Sequence, residues 1–147
     1  MQASHPLRPV TGFAAGALSV LVFHQLTLAV LHAAGVAPFA PYSLDPVPPL
    51  GVPRFVSAAF WGGVWGIVFA LVDGRFPPAR YWLTAFAFGA ILPSLVALFV
   101  VVPLKGGPVG AGFDPMIWIT ALIINGAWGL GTGLGLRILP GGGGSTY

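Results

Sequence analysis

Residues 81–104 read YWLTAFAFGAILPSLVALFVVVPL, 24 positions without an Asp, Glu, Lys or Arg. About 20 predominantly apolar residues in a helix cross a hydrocarbon layer of about 30 Å. Lipid offers no water to unpaired backbone groups, so a run of this kind is expected to be a helix, not an open strand. Three more uncharged runs flank it, at 11–35, 55–72 and 115–136. The first, at 25 residues, is too long for a signal-peptide core of about 7–15 and carries His24 and Gln25 at its middle. It is expected to stay as a helix.

The remaining composition agrees. Of 147 residues, 56% are hydrophobic and 6% charged, against about 25% charged in soluble domains. Such a chain cannot clothe itself in a polar shell, which excludes a water-soluble enzyme, a disordered tail and a nucleic-acid module. Its pI near 10.0 reflects six cations facing three aspartates, a topology signal and not a polyanion patch. With no cysteine there is neither a disulfide framework nor a thiolate metal site. The expected fold is all-α, an integral membrane four-helix bundle, with the lipid bilayer as its first partner.

The cations orient the bundle. Arg8, Arg75, Arg80 and Arg137 fall on one side, Arg54 and Lys105 on the other, which favours N-in/C-in. With Asp73 counted, the inner side is +3; with Asp45 and Asp114, the outer side is neutral. The outer connection 36–54, VAPFAPYSLDPVPPLGVPR, carries six of the fifteen prolines. It should be extended, semi-rigid and laid against the bundle mouth or the membrane interface. The four helices and their loops form one domain, 1–139, followed by a flexible Gly-rich tail at 140–147.

Gly63-Val64-Trp65-Gly66-Ile67 recurs as Gly126-Ala127-Trp128-Gly129-Leu130, with Gly16-Ala17 and Gly89-Ala90 as a second match. The chain therefore reads as two pseudo-symmetric helical hairpins about an axis along the membrane normal, although Gly-rich membrane helices also resemble each other by chance. Small-xxx-small spacing recurs at Gly12/Gly16, Gly62/Gly66, Gly129/Gly133 and Gly131/Gly135, with Gly126 on the Gly129 face. Such positions let backbones approach where lipid removes the hydrophobic drive. They serve packing inside the bundle or docking of another chain, either a second copy in a homo-oligomer or a larger membrane complex.

Polar residues inside a membrane span are functional candidates by default. His24, Gln25, Ser94 and Asn125 fall near one depth, and Pro93 should kink its helix and free a carbonyl. They form either a midplane polar site or a set of helix–helix hydrogen bonds. No span holds a carboxylate, which argues against proton- or sodium-coupled transport. His32 is expected to cap the outer end of its helix or to meet interfacial water. A haem would need a second ligand such as Met116, or His24 from each of two copies, so no cofactor and no metal are expected. Tyr81, Trp82 and Trp118 sit at span ends as interfacial anchors. Trp61, Trp65 and Trp128 lie deeper, packed on glycine or lining a cavity for a quinone or lipid tail. Asp114 before Pro115 has the form of a helix N-cap.

Phe23-His24-Gln25, Pro48-Pro49-Leu50-Gly51-Val52-Pro53, Phe60-Trp61-Gly62-Gly63-Val64-Trp65-Gly66-Ile67, Pro103-Leu104-Lys105-Gly106 and Asn125-Gly126-Ala127-Trp128-Gly129-Leu130-Gly131 together resemble a group of small four-span inner-membrane proteins of proteobacteria. The resemblance implies four helices in a bacterial inner membrane and carries no activity, ligand or catalytic residue. No paired carboxylates, HExxH motif, Ser–His–Asp set or phosphate loop appear, so a non-enzymatic role is expected. The leading expectation is an interaction or accessory subunit packing through Gly-rich faces. The alternatives are a small channel or transporter for a neutral or apolar solute, and a haem- or quinone-binding redox subunit.

Overall fold

The computed structural model describes residues 6–142. Four helices are long and apolar enough to cross a membrane: α1 (Arg8–Ala33), α2 (Arg54–Arg75), α3 (Pro78–Leu104) and α4 (Pro115–Ile138). Each overlaps one of the uncharged runs. The ends differ where local chemistry intervenes. Pro9 presets the first turn, so α1 starts at Arg8, and the chain leaves it through Gly35 at φ 74°. Asp114 caps α4 as read, accepting from the amides of Met116 (2.8 Å) and Ile117 (3.4 Å).

Neither α1 nor α3 is regular. A π turn occupies Val20–His24 in α1 and another Ala97–Val101 in α3. The irregularity expected at Pro93 is thus displaced toward the end of α3; Pro93 itself lies inside the α-helical stretch Tyr81–Val96. Nothing in the local sequence of α1 marks its π turn.

The helices pack in the order α2, α1, α4, α3. Glycine governs both outer pairs. A Cβ on Gly16 would strike the Gly62 carbonyl and lie 2.9 Å from the Gly66 Cα, and one on Gly12 would lie 2.6 Å from the Gly66 oxygen. In the α3/α4 pair, a Cβ on Gly89 would strike the Asn125 carbonyl and lie 2.9 Å from the Gly129 Cα; one on Gly129 would strike the Ala85 oxygen. The Phe13 ring covers Gly63, and the Phe86 ring covers Gly126 in the same way. Contact for contact, Gly16, Gly62, Gly63 and Gly66 in the first pair correspond to Gly89, Asn125, Gly126 and Gly129 in the second.

At the end where Arg8, Arg137 and the 73–80 link meet, here the basal end, polar groups close the structure. Arg8 donates through Nε to the Ala70 carbonyl (2.6 Å), and its other nitrogens reach Asp73 and the Gly142 carbonyl. Tyr81 donates its hydroxyl to Asp73 at 3.2 Å, and the Arg137 guanidinium lies 4.0 Å over the Tyr81 ring. Tyr81, expected as an exposed anchor, is therefore buried in this cluster, while Trp82 beside it is 43% exposed. The start of the Gly-rich tail also belongs to the fold. Thr11 donates to the Pro140 carbonyl at 2.8 Å, and Gly142 is buried. Residues 143–147, the rest of the stretch expected to be flexible, lie outside the described residues.

Candidate functional site

At the opposite end, the loop end, the helices part. A cavity of about 360 Å³ lies between all four, walled mainly by α2, α3 and α4, with Val20 and His24 contributed by α1. That volume falls toward the lower end of the range for small-molecule sites, about 300–1,000 Å³. Val20, Leu98, Ile124, Trp61 and Trp65 make it predominantly apolar, and Trp128 forms part of its floor. Arg54 and Lys105 stand at its mouth.

The Pro-rich connection covers that mouth, as its composition suggests. Residues 46–53 turn back on themselves in a two-residue antiparallel pairing, Pro46 with Pro53 and Val47 with Val52. Phe39 and Val47 face the cavity. Three contacts fasten the loop to α1: the Tyr42 amide donates to Gln25 Oε1 (2.6 Å), the Tyr42 hydroxyl to the Leu21 carbonyl (2.6 Å), and His32 Nδ1 to the Ala37 carbonyl (3.0 Å). His32 thus ties down the loop instead of capping the helix end. Trp118, half-buried, donates Nε1 to the Gly110 carbonyl at 2.8 Å and stacks on Phe113 in the turn that precedes α4.

The midplane residues separate into two groups. Asn125 donates its carboxamide to Ser94 Oγ at 2.9 Å, and Ser94 donates to the Ala121 carbonyl at 3.2 Å. This pair joins α3 to α4, and Asn125 also lines the cavity. His24 reaches the cavity from the π turn of α1 without touching that pair through a hydrogen bond. Its Nδ1 instead accepts from Gln25 Nε2 at 3.3 Å. The Tyr42 amide can only donate, which fixes the Gln25 oxygen toward the loop and its nitrogen toward His24. The Nε2–H is then the imidazole's remaining donor. Gln25, expected in the polar site, braces the lid and sets the tautomer of His24. Pro93 lines the cavity as well.

Sequence reasoning missed Thr120. Its side chain is 1% exposed, it lies on the cavity wall, and its Oγ1 has no hydrogen-bond partner. A mid-helix threonine ordinarily donates to the carbonyl one turn back, so an unpaired hydroxyl here is a cost that a bound polar group would remove. Among the described residues, no group of three or more His, Cys, Asp or Glu side chains is placed to hold a metal ion.

Comparison with protein-family models, with curated proteins and with solved structures gave no match to this chain. The cavity itself is therefore the guide to function.

Proposed function

We propose that this chain is an integral membrane four-helix bundle of two pseudo-symmetric hairpins. It stands N-in/C-in in a bacterial inner membrane and binds an apolar solute, without catalysis, in the cavity at its outer end. It would act as a small carrier or channel. The supporting observation is the cavity: an apolar chamber with His24, Asn125 and Thr120 on its walls, lidded by an anchored loop and floored in part by Trp128. The matched glycine contacts support the hairpin repeat, and parallel repeats with a site at their interface occur among transporters.

The accessory-subunit reading drew on glycine faces and on the scarcity of ionisable groups, and the glycine part of it finds less support. Gly12 and Gly16 lie against Gly66 and Gly62, Gly126 under Phe86, Gly129 on Ala85, and Gly133 beside Tyr81. With those faces occupied inside the chain, the cavity is the feature left to carry a function. A second reading, a quinone-binding redox subunit, draws on the aromatic lining of the same chamber.

Native mass spectrometry of the protein, released from its own membrane in mild detergent, tests the proposal. One apolar or amphiphilic molecule per chain is expected, and Ala121→Phe, which fills the chamber, should lose it. Wild type and variant both free of any such molecule would defeat it. Orientation is tested separately on this cysteine-free chain. A cysteine at Leu44 should label from the periplasmic face, and one at Gly74 should not.

A further inference from the structure

We infer that the ligand of this cavity is a single-chain amphiphile with an anionic head, its carboxylate or equivalent held by Arg54, Lys105 and the Thr120 hydroxyl. The inference rests on the cavity-binding proposal and adds the charge and shape of what is bound.

Elimination within the chain supplies the charge. The chain has three side-chain carboxylates, and none of them pairs with Arg54 or Lys105 among the described residues. Asp73 pairs with Arg8 at the far end, Asp114 accepts from the first amides of α4, and Asp45 accepts from the Ser43 hydroxyl at 2.9 Å. Arg54 and Lys105 make no ion pair among the described residues, yet both line the same opening. Two cations converging on an apolar chamber complement a group that is negative at one end and apolar at the other.

Thr120 is an independent observation. It is a buried, unpartnered hydroxyl on that wall, five residues below the α4 cap, where a head drawn inward by the two cations would meet it. From Thr120 down to Trp128 the helix rises about 12 Å, along which the walls offer mainly Leu98, Ile124 and Trp65. That depth suits an extended chain of about ten carbons. A volume of about 360 Å³ suits one chain better than two.

The test uses the full chain in nanodiscs of zwitterionic lipid, in mildly alkaline buffer, with terminally brominated undecanoate and the matching bromoundecanol as probes. Bromine quenches an indole on contact, and Trp65 and Trp128 lie at the deep end. Quenching that survives subtraction of the Ala121→Phe background reports occupancy. Undecanoate should bind about tenfold more tightly than the alcohol, the size of one hydrogen bond to a charged group. Arg54→Gln with Lys105→Gln should remove that difference, while Arg54→Lys with Lys105→Arg should keep it. Thr120→Val should weaken the acid while raising the melting temperature of the empty protein, because the orphaned hydroxyl is gone.

Acid and alcohol quenching alike, unaltered by the glutamine pair, would leave the cavity standing, assign the cations to lipid headgroups and overturn the anionic-head inference. Neither probe quenching above the Ala121→Phe background would bring down the cavity-binding proposal and this inference together.

Discussion

Two seams run between the hairpins, α1 against α4 and α2 against α3. In a chain built as a repeat they would be equivalent, and they differ in almost every respect. The α1/α4 seam is bonded, with only a recess of about 120 Å³ along it. Ser19 donates to the Trp128 carbonyl (2.7 Å), Trp128 donates Nε1 to the Gly16 carbonyl (3.0 Å), and Ala15 sits directly on Gly135. The α2/α3 seam is held only at its basal half, by edge-to-face rings. Phe69 meets Phe88 at 5.1 Å and Trp65 meets Phe88 at 6.4 Å. Its other half is the cavity.

Side-chain size accounts for the difference. In the register set by the matched glycine contacts, the small residues of the closed seam are Ala15, Ser19, Gly131 and Gly135. Their counterparts in the open seam are Phe88, Leu92, Val68 and Val72. Small residues bring helix backbones together and expose carbonyls to donors across the gap. Rings and branched chains keep them apart. The α1/α4 seam therefore closes on small residues, while the α2/α3 seam stays wider and opens into the chamber at its loop half.

The strongest test of that comparison is to give the closed seam the side chains of the open one. Gly131→Val with Gly135→Val would drive methyl groups into Ser19, Phe23 and Ala15. Each site should cost about 1–3 kcal/mol, and loss of a cooperative melt in detergent is the expected reading. A pair of valines tolerated with an unchanged melt would show that size does not decide which seam closes.

Asp73→Asn comes next, because Asp73 is where α1, the 73–80 link and α3 are joined at the base of both seams. The expected loss is about 2 kcal/mol, short of the figure for a fully buried pair because 19% of the Arg8 side chain is exposed. Thermal melting measures it. Adding Arg8→Met to Asp73→Asn removes the stranded charge, and recovery of the melting temperature in that double variant would sharpen the assignment.

Trp128→Phe removes the indole donor from the closed seam and leaves a ring to meet Phe69. About 1 kcal/mol is expected, with no comparable loss for Trp65→Phe, whose contact with Phe88 is ring on ring. Equal losses at both positions would erase the distinction drawn between the seams. Ser19→Ala should have the smallest effect, about 0.6 kcal/mol, the average for an interhelical hydrogen bond in lipid. A melting shift near the detection limit would be consistent with it.

Much of the candidate site was half-legible. His24, Asn125 and Pro93 were identified because polar and proline residues stand out in an uncharged run, and all three do line the cavity. The Asn125–Ser94 bond followed from their shared depth. Thr120 carried no such signal, since a threonine in a helix is ordinary unless its hydroxyl is stranded. Arg54 and Lys105 registered only as topology charges, because nothing in their spacing reveals that the ends of α2 and α3 flank one opening. The burial of Tyr81 was not legible either: an aromatic at a span end reads as exposed to the interface, and its bond to Asp73 depends on a partner eight residues earlier in the chain.

Sequence alone determined the four helical runs, because hydropathy and the need to satisfy backbone groups act along a single segment. It also marked the glycines on which helices would meet, for a missing side chain is visible without its neighbour. Tertiary structure decided which pairs of helices meet, where the π turns relieve the packing, and which seam stays open. Those outcomes depend on side-chain volumes contributed by four separated segments to one contact, and no single stretch of the chain contains them.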